Sequence, residues 1–108
     1  MKIVKVYFPV SADSDHYLVE RFGRVCSKLF GGCTTYKAQG YWADRSGIET
    51  HVFEIAIPFG ETIMKKLVLS VANRYILGTA KQQSYLVSWP DGEAQFVDQG
   101  DWHAQVNF

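Results

Sequence analysis

The chain has 108 residues, 47% of them hydrophobic, which is enough for one hydrophobic core but not for two. Eleven basic residues balance eleven acidic ones, so the chain has no net charge to attract nucleic acid or a membrane surface. No apolar stretch approaches the roughly 20 residues of a transmembrane helix. The N-terminal run lacks a signal-peptide cleavage site, and a cytoplasmic location is therefore expected.

The first strand is predicted over residues 3–8, because apolar residues there occupy alternate positions. One face carries Val4, Val6 and Phe8, and the other carries Ile3, Lys5 and Tyr7. A helix is predicted next, with caps from the polar run at 11–15 and an end at Gly31-Gly32. Its apolar stripe consists of Leu18, Phe22, Val25, Cys26 and Leu29.

Two strands follow, over residues 34–42 and 48–59, and the turn residues at 44–47 between them predict a four-residue hairpin loop. This loop length fixes the cross-strand register. On the outer face it places Lys37 opposite Glu54, Gln39 opposite Val52 and Tyr41 opposite Thr50. On the inner, core-facing side it places Tyr36 opposite Ile55 and Gly40 opposite His51.

A second helix is predicted over residues 63–76, and Gly78 is predicted to end it. A fourth strand is predicted over residues 83–89, where Tyr85, Val87 and Trp89 alternate with smaller residues. After the Pro90-Asp91-Gly92 turn, residues 93–98 have the composition of one further short strand.

This order predicts an α+β domain over residues 1–90 with a ferredoxin-like β-α-β-β-α-β fold, in which two helices cover one face of an antiparallel four-stranded sheet. Residues 91–108 form a C-terminal extension. Its aromatic composition predicts that Trp102, Val106 and Phe108 pack on the open sheet face of the same chain or of a partner.

The open face is the predicted binding surface for a ligand or partner, because it combines polar and aromatic residues where a solvent-facing sheet is usually more polar. The predicted binding residues are Lys5, Tyr7, Lys37, Gln39, Tyr41, Glu54 and Trp102. Glu54 has two interpretations: a cross-strand ion pair with Lys37, which is favoured, or an acid, base or ligand anchor.

Neither a cofactor nor a metal ion is expected from the sequence. His51 is predicted to be a core histidine, and neither His16 nor His103 has an acidic or thiol neighbour at metal-ligand spacing. Cys26 and Cys33 are predicted to be reduced structural thiols. Nucleic-acid binding is not predicted, since the third strand lacks the K/R-G-F/Y-x-F pattern of RNA-recognition motifs.

Residues 1–90 contain a series of short motifs, namely Phe30-Gly31-Gly32-Cys33-Thr34, Gly40-Tyr41-Trp42, Glu54 and Gln83-Ser84-Tyr85-Leu86-Val87. This F-G-G-x-T…G-x-W…E layout resembles small uncharacterised bacterial and phage accessory proteins. The resemblance implies a ferredoxin-like domain and a mobile-element origin, and it implies no known activity. A phage-type inhibitor of a host protein rests on this resemblance alone.

Two functions are consistent with these observations. The first is a non-enzymatic binding or interaction module that forms a homodimer, or holds a small molecule or a host protein, through the open face and the C-terminal tail. The alternative is a small enzyme of the dimeric ferredoxin-like barrel type, with Glu54 as the acid or base and with Lys37, Tyr7 and His103 nearby.

Overall fold

A computed structural model describes residues 2–42, 45–57 and 61–106 of the protein, apart from the side chains at 42, 45–47, 61 and 103–106. Its elements in chain order are β1 (Lys2–Val10), α1 (Asp15–Phe30), β2 (Cys33–Trp42), β3 (Arg45–Ile57), α2 (Glu61–Ala72), a π-helical segment (Asn73–Thr79), β4 (Ser84–Ser88), β5 (Ala94–Asp98) and α3 (Gln99–Val106). The predictions made for the side chains of His103, Val106 and Phe108 lie outside the described residues.

The strands form one open, five-stranded antiparallel sheet in the order β2-β3-β1-β4-β5. The α+β class and the predicted order of strands and helices are confirmed, and the predicted short strand after the Pro90 turn is β5. Among the helices described, none is long and apolar enough to cross a membrane.

The hydrophobic core lies between one face of this sheet and the helices. The predicted alternation in β1 and β4 is confirmed, because Val4, Val6 and Phe8 are buried together with Tyr85 and Val87. The helical residues in the same cluster are Val19, Phe22, Cys26, Val68, Ala72, Ile76 and Leu77. All of these side chains share one core, so the helices cover a single face and leave the other face open.

Helix α1 ends where the sequence predicts. Gly31 has a φ of 86°, in the left-handed region, and its backbone N–H donates to the Ser27 carbonyl at 3.0 Å. Glycine adopts this conformation without the steric cost that a Cβ atom brings. The turn therefore directs the chain straight from α1 into β2.

The predicted register of the β2–β3 hairpin is wrong. Trp42 pairs with Arg45, and Gly40 pairs with Ile48, so β3 has one residue more than β2 between the two pairs. The pairing of Trp42 with Arg45 makes the hairpin tighter than the predicted four-residue loop at 44–47. The extra residue in β3 then shifts the pairing of the rest of β2 by one residue. Thr34, and not Lys37, consequently faces Glu54. Over Cys33 to Gly40 the pairing differs from the predicted one by an odd number of residues, which moves these β2 side chains to the opposite face.

Gly78 does not end the second helix. It lies inside the π-helical segment that continues α2 to Thr79, and the Ala80 N–H closes that segment on the Tyr75 carbonyl at 2.9 Å. A Cβ atom at Gly78 would approach the Trp102 ring to 3.2 Å. A side chain at this position would therefore require the Trp102 ring to move by a few tenths of an ångström.

Both cysteines are free thiols. Burial raises the pKa of Cys26 to about 12, whereas Cys33 is partly exposed. Because the thiolate is the reactive form, we expect an aromatic disulfide reagent to modify Cys33 in the native protein and to leave Cys26 intact. Cys33→Ser should abolish the native-state reaction, and Cys26→Ser should retain it. Equal modification rates for both thiols without denaturant would contradict this prediction.

Candidate functional site

A row of directly paired side chains crosses the open face from one edge of the sheet to the other. We call it the cross-sheet row, and from β5 to β2 it consists of Phe96, Leu86, Tyr7, Val52 and Tyr36. Val52, which follows the central Tyr7 in this row, is buried, and Phe96 at one end is 63% exposed. Three of the five side chains are aromatic and the other two are aliphatic, so the row is a largely apolar strip across the open face.

A polar row lies two residues further along the strands and includes Lys5 and Glu54, which are direct cross-strand partners. The Tyr36 hydroxyl donates a hydrogen bond of 3.1 Å to Glu54 Oε2, and the Lys5 ammonium lies 3.9 Å from the same oxygen. Partial burial, followed by the bond to Glu54, raises the pKa of Tyr36. Glu54 thus belongs to a cross-strand ion pair, but its partner is Lys5 and not the predicted Lys37.

A shallow groove of about 240 Å³ adjoins the cross-sheet row and is lined partly by Tyr7, Tyr41 and Thr50. Tyr41 is 75% exposed at the β2 edge of this groove. The structure therefore brings four of the predicted binding residues to the open face or its rim: Lys5, Tyr7, Tyr41 and Glu54.

The other predicted binding residues lie elsewhere. Lys37 pairs with His51 and Gln39 pairs with Glu49, so the ladder assigns both to the helix-covered face of the sheet, although Gln39 at the edge also borders the groove. Trp102 packs beside Gly78 in the helical layer and not across the open face. Within one chain, Lys37 is therefore separated from Glu54, which it was predicted to join in a catalytic group.

On the helix-covered face, His16, Glu49 and His51 form a second cluster, which we call the histidine cluster. His16 lies in the first turn of α1, while Glu49 and His51 lie two residues apart on β3 and so point to the same side of the sheet. Glu49 Oε2 is 2.6 Å from His16 Nε2 and 3.0 Å from His51 Nε2. The two imidazole rings meet edge to face, with centroids 5.8 Å apart.

The charges in the histidine cluster support one another. Hydrogen bonding to Glu49, and then to the Asp13 carbonyl, raises the pKa of His16. Hydrogen bonds from His51, and then from His16, lower the pKa of Glu49. One carboxylate oxygen therefore serves two imidazoles at a place where β3 meets the start of α1.

Sequence reasoning missed both groupings in part. Tyr36, Leu86 and Phe96 in the cross-sheet row depend on a register that the sequence did not reveal. The Glu49-x-His51 spacing was a usable signal, because residues two apart on a strand share a face. His16 is 33 residues from Glu49 in the chain, and only the packing of α1 on β3 brings it close.

Comparisons of this chain with protein-family models, with curated proteins and with solved structures found no match. The motif layout therefore identifies no family, and its resemblance to bacterial and phage accessory proteins stays a prediction.

Proposed function

We propose that the protein is a non-enzymatic interaction domain that forms a homodimer through the open face of its sheet. The observation that carries this proposal is the cross-sheet row, which spans all five strands with side chains from Phe96 to Tyr36. Burying such a strip removes apolar area from water, and each square ångström contributes about 25 cal/mol.

The charges on the open face favour a second copy of this chain as the partner. Lys5 and Glu54 lie side by side next to the row, and the whole chain has a formal net charge of +0. Two identical faces related by a twofold axis can place each lysine near a glutamate, and such an interface is complementary to itself. A strongly charged partner such as nucleic acid would find no matching field.

The proposal extends to the topology of the fold. We propose that the first four strands, with α1 and α2, form a ferredoxin-like domain; their order β2-β3-β1-β4 and antiparallel pairing support it. On this proposal β5 and α3 are additions at the β4 edge. Strand β5 widens the open face and contributes Phe96 to the row.

Light scattering coupled to size exclusion tests the dimer. We expect the wild-type protein to have twice the chain mass of 12.3 kDa. Phe96→Glu should shift the mass to that of one chain, because it places a charge in the apolar row that the proposed interface buries. Since Phe96 is largely exposed within one chain, this variant should keep its circular dichroism spectrum.

Ile63→Glu is the matched control, since Ile63 is 73% exposed on α2, in the helical layer. It should remain a dimer. A wild-type protein that is monomeric at every concentration would refute the proposal. A dimer that Ile63→Glu dissociates and Phe96→Glu leaves intact would move the interface to the helices.

A further inference from the structure

The protonation of the histidine cluster is set by a backbone contact. His16 Nδ1 lies 3.1 Å from the Asp13 carbonyl oxygen, and a carbonyl oxygen can only accept a hydrogen bond. Nδ1 must therefore carry a proton. In a neutral imidazole, the remaining Nε2 then has a lone pair and no hydrogen.

That lone pair points at a carboxylate. His16 Nε2 is 2.6 Å from Glu49 Oε2, and two lone pairs at this distance repel each other. At this distance the contact is stable only with a second proton on His16, and a metal ion bound by both atoms would replace that proton and move the two atoms apart. His51 Nε2 lies 3.0 Å from the same oxygen. The Nε2 atoms of both histidines are therefore close to Glu49 Oε2.

We propose that His16 Nε2, Glu49 and His51 Nε2 form a site for a divalent transition-metal ion, best matched by Zn²⁺. Two imidazoles and one carboxylate are a donor set that zinc sites use. The three ligand atoms lie within 4.8 Å of one another. Ligand atoms about 2.0–2.2 Å from a tetrahedral zinc are about 3.3–3.6 Å apart, so only small side-chain movements are needed to admit the ion.

The surroundings of the cluster have two further properties of a metal site. The Asp13 carbonyl that accepts from His16 Nδ1 is the type of outer partner that fixes the tautomer of a metal-binding histidine. His51 is only 8% exposed, so part of the ligand set is held rigidly by the core. This combination distinguishes the cluster from an ordinary surface pair of opposite charges.

Space remains for a fourth ligand. A cleft of about 470 Å³ runs between α1 and the β2–β3 edge, and both His16 and His51 line it. Three protein ligands leave one tetrahedral position for water or a small molecule. Two cations lie near the cluster: Arg24 lines the cleft and is paired with Glu20, and Lys37 is the cross-strand partner of His51. Lys37 is exposed, and its flexible side chain can turn toward solvent.

Calorimetric titration of chelator-treated protein with Zn²⁺ tests the site. We expect one ion per chain, and a d–d absorption band when Co²⁺ replaces zinc. Removal of an outer partner of a metal ligand costs about 10–100-fold in affinity, so Glu49→Gln and His51→Ala should each cost at least as much. Glu20→Gln is the matched control, because Glu20 lines the same cleft and pairs with Arg24; it should bind zinc as the wild type does.

A second measurement uses only the unmodified chain, and so does not depend on the folding of variants. Adding Zn²⁺ should change the imidazole nitrogen NMR shifts of His16 and His51 together, with Nε2 as the bound atom. The proposal is overturned if no heat is released, if Glu49→Gln and Glu20→Gln bind zinc equally well, or if the shifts of His103 alone respond.

Discussion

Replacing Phe22 by alanine is expected to lower the free energy of unfolding by about 3–5 kcal/mol, the usual cost of removing a buried aromatic ring. Phe22 is fully buried and connects α1 to the sheet. Its ring meets Phe53 edge to face at a centroid distance of 4.8 Å and Phe8 at 5.9 Å. Truncation removes these contacts together and leaves a cavity that the surrounding strands cannot close.

Urea denaturation of the two proteins measures this cost. Leu29→Ala is the control on the same helix, because Leu29 is 46% exposed; we expect it to cost less than about 1 kcal/mol. A small and equal effect for both variants would show that α1 packs on the sheet differently from the structure described. Because α1 carries His16, Phe22→Ala should also disturb the histidine cluster.

Asp15→Ala is expected to destabilise the protein by about 2–3 kcal/mol, because it removes a buried carboxylate oxygen that accepts three hydrogen bonds. Asp15 Oδ2 accepts from the Ser11 N–H at 3.0 Å, from the Ala12 N–H at 3.2 Å and from Gln82 Nε2 at 3.3 Å. Both Asp15 and Gln82 are buried. This carboxylate therefore ties the β1–α1 connection to the segment that precedes β4.

Asp13→Ala is the matched control for this change. Asp13 is an exposed acid in the same connection, and its loss should shift stability by only about 0.5 kcal/mol. Thermal unfolding followed by circular dichroism compares the two variants at one pH. If Asp15→Ala proved as mild as Asp13→Ala, the hydrogen bonds to Gln82 would contribute no net stability.

The elements of the fold were predictable wherever the sequence carried its own periodicity. Val4, Val6 and Phe8 in β1, and Tyr85 and Val87 in β4, alternate so regularly that their buried face follows from the sequence. Helix α1 was also clear, because Gly31 marks its end. The same reasoning failed at Gly78, which lies within the helical segment and closely contacts Trp102 and does not end the helix.

The candidate sites were less predictable because they depend on contacts between distant elements. The hairpin register could not be predicted without knowing that the pairing shifts between Gly40 and Trp42. The periodicity of a strand does not show where such an added residue lies. Tyr36 was therefore assigned to the core and Lys37 to the open face, which is the reverse of what is observed. His16 is a candidate metal ligand only because the packing of α1 on β3 brings it next to Glu49.

An NMR experiment on mixed dimers tests the central claim most directly. Isotope-labelled and unlabelled chains are combined, and magnetisation transfer is recorded only between different chains. The proposed homodimer predicts intermolecular transfer among the rings of Tyr7, Tyr36 and Phe96 on the open face. Transfer confined to residues of α1 or α2, or no transfer between chains at all, would contradict the proposal that the open sheet face is where two copies meet.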